Sequence, residues 1–224
     1  MQRSKRKYEE TEEAKILIDY NKWRSIKQIS TKELRQRLQQ DIIIRKKVET
    51  LNDKFNITNN VELDNPFITC KEMTKDVKLR NVQYKILHNI YPTMKHLHTW
   101  KIKDTPNCAN CQIPETIAHA VWECPVAQQT INNLTTVYNA INNTHLTLDK
   151  KSVIYGIRNK AAVNTILTVI KRTLILQREE KQILSCEEIK RLIKQQCDIE
   201  LYIARKKSNQ QKHVKRWTEF NLID

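Results

Sequence analysis

Glycine is almost missing from this chain, in which Gly156 is the single example among 224 residues. Glycine supplies the positive φ angles of tight hairpin turns and the close backbone approach of phosphate-cradling loops. Its scarcity therefore argues against a strand-rich fold and against a P-loop. We expect a mostly α-helical fold with little or no sheet.

Long apolar segments are also missing. The best apolar stretch, 161–170, has ten residues, whereas a membrane span needs about 18. The first ten residues contain no apolar region of a secretory signal. We therefore expect no membrane partner and a reducing compartment, in which the six cysteines are thiols or metal ligands rather than disulfides.

Two catalytic patterns do not occur. Polymerases use paired aspartates to hold two metal ions, and no Asp-Asp pair is found anywhere in the sequence. Zinc-dependent deaminases need a His-x-Glu before their cysteine pair, and no His-x-Glu is found either. We predict that this chain is not an enzyme.

Positive charge is what the sequence has in excess, because 40 Lys and Arg outnumber 25 Asp and Glu and give a net charge of +15. Such an excess indicates a polyanionic partner, nucleic acid first and an anionic membrane surface second. Residues 71–103 carry a net charge of +6 and residues 190–217 a net charge of +7, whereas residues 104–125 contain no Lys or Arg. The two basic regions are therefore predicted to contact phosphates, although a solvated helix face is the alternative for each.

The predicted nucleic-acid contacts come from both basic regions. They are Lys78, Arg80, Lys85, Lys95, Lys101, Lys103, Arg205, Lys206, Lys207, Lys212, Lys215, Arg216 and Trp217. Trp100, Trp217 and Phe220 interleave with these charges and either stack on unpaired bases or pack in the core, which is the commoner role. We expect RNA as the main partner and DNA as the second candidate.

Apolar spacing and turn residues divide the chain into helical segments. Capping boxes, in which a Ser is followed three residues later by Glu, are predicted at Ser30 and Ser185. Helices are expected over 9–50, 71–90, 161–181 and 186–206, with an Asn-rich loop over 52–65 and an Asn/Thr-rich stretch over 130–147. Three regions follow: an N-terminal helical segment with its linker (1–66), a helix with a metal module (67–150) and a C-terminal helical basic region (151–224).

The metal module is defined by Cys108, Cys111, His119 and Cys124, with the spacing Cys-x2-Cys-x7-His-x4-Cys. Three thiolates and one imidazole are a standard tetrahedral zinc set, and four protein ligands leave no open position for catalysis. We predict one structural Zn²⁺; the alternative is chance clustering of three cysteines near a histidine. His88, His96 and His98 are weaker candidates for the imidazole, and Cys70, Cys186 and Cys197 are expected to be small buried side chains.

Further motifs surround these ligands. They are Gln83-Tyr84-Lys85-Ile86-Leu87-His88, Tyr91-Pro92-Thr93, Cys108, Cys111, Glu115-Thr116, His119 and Trp122-Glu123-Cys124-Pro125. With them the sequence resembles the zinc-binding region that follows the thumb in reverse transcriptases of long interspersed, non-LTR retrotransposons. The similarity begins near residue 75 and continues to about residue 220. One departure is visible, because the family often has an aromatic residue shortly after the last cysteine, where this chain has Gln128, Gln129 and Thr130.

The resemblance implies a helical module that helps to hold element RNA and target DNA during target-primed reverse transcription, without polymerase activity of its own. The rest of the reverse transcriptase is then a partner if the chain is a fragment, and a domesticated remnant is the other possibility. A protein-interaction adaptor that uses the helices at 161–181 and 186–206 is the competing function. The basic run 3–7 indicates nuclear import, so we expect a nuclear protein, with a cytoplasmic ribonucleoprotein as a second location.

Overall fold

The computed structural model describes residues 15–19, 22–25, 30–58, 65–180 and 182–220. The elements are β1 (Lys15–Asp19), β2 (Lys22–Ser25), α1 (Thr31–Phe55), α2 (Pro66–Glu72), α3 (Val77–Leu87), α4 (Met94–Thr99), a π-helical turn (His119–Glu123), α5 (Pro125–Asn142), α6 (Lys150–Tyr155), α7 (Ala161–Leu176), α8 (Cys186–Lys206), α9 (Gln210–Trp217) and a 3-10 turn (Thr218–Phe220). The predicted mostly helical fold is confirmed. Among the described residues, no helix has both the length and the apolar content that crossing a bilayer requires.

Contacts divide the chain into two compact units, 1–50 and 51–224. The three-region division proposed from the sequence stays a prediction. In the first unit, β1 and β2 form an antiparallel pair in which Asp19 lies opposite Lys22. The single helix expected over 9–50 is therefore wrong in its first half, where isoleucines and a tryptophan favour extended backbone.

Helix α1 begins where the sequence predicted a cap, because the Glu33 N–H donates to Ser30 Oγ at 3.2 Å. The helix continues to Phe55 and so extends into the stretch predicted as a loop. Phe55 is buried, and its ring meets the Tyr155 ring edge-on with centroids 6.3 Å apart. Burial of this aromatic side chain explains why the helix persists through asparagine-rich sequence, since packing outweighs weak intrinsic propensity.

The helix expected over 71–90 is divided into α2 and α3. The Asp76 carboxylate accepts from the N–H groups of Lys78 and Leu79, and this cap starts a new helix at Val77. Helix α3 then ends at Leu87, before Pro92, because Asn89 takes a left-handed backbone with φ of 56°. Pro92 is thus not the residue that stops the helix.

The main core of the second unit is formed by α5, α7 and α8 together with the C-terminal aromatic residues Trp217 and Phe220. Helix α7 is its centre, and eleven of its side chains are buried, including Ile166 and Ile170. Helix α8 starts with the predicted capping box, in which Ser185 and Glu188 bond reciprocally. A second core cluster joins the end of α1 to α3, α6 and the segment before the π-helical turn.

Candidate metal centre

A tight turn places the first two cysteines. The Cys108 N–H donates to the Ile113 carbonyl at 2.8 Å, and the Gln112 N–H donates back to the Cys108 carbonyl at 2.9 Å. Gln112 adopts φ of 60°, which lets the chain reverse within this short span. This reversal of the chain brings the thiols of Cys108 and Cys111 close to the other two predicted ligands, His119 and Cys124.

A π-helical turn places the other two ligands. His119 is the first residue of this turn, and its backbone N–H donates to Thr116 Oγ1 at 3.1 Å. At the other end, the Cys124 N–H donates to the His119 carbonyl at 2.9 Å. This bond spans five residues, the π-helical pattern, and such turns recur at functional sites. Pro125 does not simply end the segment, because it is the first residue of α5, with Cys124 as the N-cap.

The four ligand atoms fit one zinc ion. They all lie within 4.8 Å of one another. Cys108 Sγ is 3.9 Å from Cys124 Sγ, and Cys111 Sγ is 3.2 Å from His119 Nε2. Tetrahedral zinc with bonds of about 2.0–2.3 Å separates neighbouring ligand atoms by roughly 3.5–3.8 Å. The sulfur–sulfur distance is far beyond the ~2.05 Å of a disulfide, and all six cysteines are free.

The environment of the ligands is that of a structural site. Cys108, His119 and Cys124 are each less than 5% exposed, and Cys111 is half-buried. Burial raises the pKa of the Cys124 thiol, and hydrogen bonds from the backbone N–H groups of Val126 and Ala127 lower this pKa in part. Zinc binds the thiolate rather than the thiol, and these amides at the start of α5 stabilise that charge. Bound zinc would supply a crosslink between the turn and α5, with no open position for a substrate.

The metal module is continuous with the protein core rather than a separate finger. Cys108 and Cys124 belong to the main cluster, and Trp122 packs against both clusters. Buried Glu115 accepts from the Met94 N–H at 2.9 Å and pairs with Arg178 at 3.5 Å. The segment that holds the ligands thus contacts residues that are distant in sequence, namely Met94 at the start of α4 and Arg178 after α7.

The other sulfur and imidazole groups have different neighbours. His88 packs between the rings of Phe67 and Tyr84, and His96 Nδ1 lies 2.9 Å from Thr93 Oγ1. The remaining cysteines are buried or half-buried away from the four ligands; they are Cys70, Cys186 and Cys197. Among the described residues, Cys108, Cys111, His119 and Cys124 are the one group of Cys, His, Asp or Glu side chains close enough together to hold a metal ion.

The predicted phosphate contacts are mostly accessible. Nine of the twelve basic residues are exposed: Lys78, Lys95, Lys101, Lys103, Arg205, Lys206, Lys207, Lys212 and Lys215. Arg80, Lys85 and Arg216 are half-buried. Lys103 also pairs with Glu179 at 2.7 Å, across an exposed surface where such pairs contribute little.

Two predicted nucleic-acid residues are instead structural. Trp217 is 0% exposed, and its indole N–H donates to Glu200 Oε2 at 3.1 Å. Arg216 pairs with the same carboxylate at 3.2 Å and donates to the Met73 carbonyl at 3.2 Å. The faces of the Trp217 ring are thus closed to bases, as are those of buried Phe220, whereas Trp100 is 52% exposed. Core packing of these rings was one of the two roles expected from the sequence, but the shared anchor of Trp217 and Arg216, the buried Glu200 carboxylate, was not predicted.

Two accessible residues were missed by sequence reasoning. Lys75, in the loop before α3, lines a cavity together with Lys207 and Lys212, so the start of α3 and the α8–α9 corner share one basic surface. Tyr202 is 63% exposed, and Lys206 Nζ lies 5.6 Å from its ring centroid. Its position four residues before Lys206 on a helix was the available signal.

Comparison with known families supports the metal centre. No curated protein and no solved structure matches the chain. Residues 49–130 match a family described as zinc-binding in reverse transcriptase, a match that covers just over a third of the chain and includes all four ligands. The predicted zinc cofactor is thereby confirmed, and so, over residues 49–130, is the resemblance to the zinc-binding region of reverse transcriptases.

Proposed function

We propose that this chain is a nucleic-acid-binding module of a non-LTR reverse transcriptase, in which the zinc site is a brace and the flanking helices hold RNA and target DNA. The observation that carries the proposal is an exposed basic surface on helices that flank a reverse transcriptase zinc-binding region. In target-primed reverse transcription the module would position the strands, and polymerase domains elsewhere would make the DNA.

The end of α8 and the following α9 provide the main binding surface. Five exposed basic residues lie there: Arg205, Lys206, Lys207, Lys212 and Lys215. Their ammonium and guanidinium groups reach solvent, where neutralised phosphates release counterions and favour binding. Tyr202 supplies an exposed ring beside these charges for stacking on an unpaired base.

The brace role of the zinc module follows from its lack of Lys and Arg over 104–125. Three of its four ligands are buried, and two of its three acids, Glu115 and Glu123, are paired with basic residues. Glu115 is 1% exposed and pairs with Arg178, and Glu123 pairs with Lys150 at 2.7 Å. The module thus contributes support to the helices rather than donors to phosphate.

Charge reversal of the five α8–α9 residues to Glu tests the proposal. Affinity for single-stranded RNA should fall, and the logarithmic salt slope should flatten by about 0.7 for each true phosphate contact, or about three for four contacts. Arg216 stays unchanged because it pairs with buried Glu200. Zinc content and helical circular dichroism should be preserved.

A matched control is available on α1, where five of the exposed basic residues can be reversed while Arg35 is left unchanged. They are Lys32, Arg45, Lys46, Lys47 and Lys54. Reversing these five changes the net charge equally, so it should lower affinity much less if binding is local. Equal losses in both variants would mean that only overall charge matters, and the proposed surface would be wrong.

A protein-interaction adaptor is the second candidate. Helix α7 is largely buried in the core, so it offers little surface to a partner. Helices α8 and α9 do expose apolar side chains, namely Ile199, Tyr202 and Val214. An adaptor would bind its partner with little salt dependence and would bind RNA weakly, which separates the two functions.

We further propose a nuclear location. Its support is the basic run 3–7, which lies outside the described residues. Fusion of residues 1–10 to a fluorescent reporter should concentrate the reporter in the nucleus, and neutralising the five-residue run should disperse it.

A further inference from the structure

A cavity of about 130 Å³ opens where α8 turns into α9. Its wall brings together residues that are separated by up to 141 positions, and six of the polar residues in it are Lys75, Glu200, Lys207, Asn209, Lys212 and Arg216. Four of the six are cationic and one is anionic. The cavity therefore concentrates positive charge from the α2–α3 loop, the end of α8 and α9.

The single carboxylate in the wall is already satisfied. Glu200 accepts hydrogen bonds from Thr74 Oγ1, the Trp217 indole N–H and Arg216 Nη1, the last at 3.2 Å. These three donors neutralise and position the Glu200 carboxylate, and they fix Arg216 against the wall. Lys75, Lys207 and Lys212 are exposed and form no ion pair with another described residue, so their charge is available to an anion.

The corner between the helices is built rather than loose. Ser208 takes a left-handed backbone with φ of 52°, and the Asn209 N–H donates to the Ala204 carbonyl at 2.9 Å, which closes the end of α8. Among the described residues, no side chain caps the first turn of α9. The free N–H groups of that turn adjoin the cavity wall at Asn209 and add a second source of anion donors.

Size and charge together select the ligand. Pockets for whole small molecules typically measure roughly 300–1,000 Å³, so this cavity suits a phosphate group rather than a nucleoside. An internal phosphodiester carries one charge and is flanked by two sugars, which restrict its entry into a concave site. A terminal phosphate monoester carries a charge of about −1.5 to −2 near neutral pH and presents three oxygens.

We propose that this cavity binds the terminal phosphate of a nucleic-acid strand, an inference that rests on the proposed nucleic-acid-binding function. Lys75, Lys207 and Lys212 supply charge-assisted hydrogen bonds, and Arg216 holds the wall in place. The rest of the strand then follows the exposed basic surface of α8 and α9. The protein would in this way distinguish the end of a strand from its interior.

The test uses the full chain, zinc-loaded, and oligoribonucleotides of one sequence with a 5′-phosphate, a 3′-phosphate or hydroxyls at both ends. At least one phosphorylated strand should bind about tenfold more tightly than the hydroxyl strand, since charged hydrogen bonds are the strong ones. Equal affinity of all three strands would overturn the terminal-phosphate site while leaving nucleic-acid binding intact. Absence of binding to every strand would instead overturn the proposed function.

Paired variants locate the effect. The double variant Lys75→Ala/Lys212→Ala should abolish the preference for the phosphorylated end. Lys206→Ala/Lys215→Ala removes the same charge from exposed positions on α8 and α9 outside the cavity wall, and it should weaken all strands while keeping the preference. Loss of the preference in both variants, or in neither, would overturn the assignment to the cavity. Vesicles containing phosphatidic acid form a last arm, and binding them as tightly as the phosphorylated strand would overturn the choice of a nucleic-acid end.

Discussion

Replacing Lys171 by methionine should change how the stability of this protein depends on pH. Lys171 is 2% exposed on α7, and its Nζ donates to Gln83 Oε1 at 2.5 Å and to the Val153 carbonyl at 2.9 Å. Burial lowers the pKa of this ammonium from its ordinary 10.5 to about 7, because the interior solvates charge poorly. Lys171 therefore links folding to proton uptake.

The direction of the effect follows from counting bound protons. Between pH 7 and pH 10.5 the unfolded chain keeps the proton on Lys171, whereas the folded chain releases it. The free energy of unfolding therefore rises with pH by up to about 1.36 kcal/mol per pH unit in this window. Near pH 7 the folded site is half protonated and the slope is about half of that. From pH 7 to pH 9 the wild type should gain about 2 kcal/mol from this group.

Urea denaturation at pH 7, 8 and 9, followed by circular dichroism with zinc present, measures the effect. Cysteines and histidines also titrate in this range, so the informative quantity is the difference between wild type and Lys171→Met. That difference should grow by about 2 kcal/mol in favour of the wild type between pH 7 and pH 9. At any single pH the variant loses two hydrogen bonds, which destabilises it, but it no longer buries an amine, which stabilises it. The informative quantity is therefore the change of the stability difference with pH.

Parallel profiles for the two proteins would refute the reasoning. They would mean that Lys171 keeps its proton in the folded state despite its burial. The two accepting oxygens of Gln83 and Val153 would then outweigh the cost of desolvating the ammonium. A difference that shrinks as pH rises would contradict the sign itself.

Four further results are expected. Protein purified without added metal should hold about one zinc, and Cys124→Ser should lose both the metal and helical signal; a metal-free wild type after reducing reconstitution would exclude the site. In primer extension with magnesium and a primed RNA template, the chain should add no nucleotides, because it has no paired aspartates. Gly156→Ala should destabilise by about 1–3 kcal/mol in thermal melts, since φ is +88° and the new Cβ would lie 2.7 Å from Thr69 Cγ2. Trp217→Phe should cost about 1–2 kcal/mol through the lost bond to Glu200 without changing RNA affinity.

The zinc site could be predicted from the sequence because its ligands are local. Four residues of the right chemistry fall within seventeen positions, and a tight turn and one π-helical turn suffice to bring them together. The capping box at Ser185 was predictable for the same reason, since its partner, Glu188, is three residues away. Short-range geometry of this kind is encoded in spacing alone.

Helix α5 shows where local reasoning fails. The Asn/Thr-rich stretch over 130–147 has weak helix propensity, yet α5 extends from Pro125 to Asn142. Its asparagines are used in tertiary hydrogen bonds, for example from Asn133 Nδ2 to the Leu184 carbonyl at 2.8 Å. Buried Leu134 and Val137 then anchor one face in the main core. Packing against residues far along the chain decides this helix, and a window of sequence does not contain those residues.

Counting charges by segment has the same limit, and it changes the basis of the brace interpretation. A charge count along the sequence includes Glu115 and Arg216 as free charges, of which Glu115 would repel phosphate and Arg216 would attract it. In the structure each is committed to a partner within the fold, Glu115 to Arg178 and Arg216 to Glu200. An ionised side chain paired in this way contributes little to the outer field, and removing its partner exposes an uncompensated buried charge. The distinction between a supporting zinc module and a binding surface thus depends on which charged side chains reach solvent. The exposed cations of α8 and α9 can attract phosphate, whereas buried Glu115 repels it little.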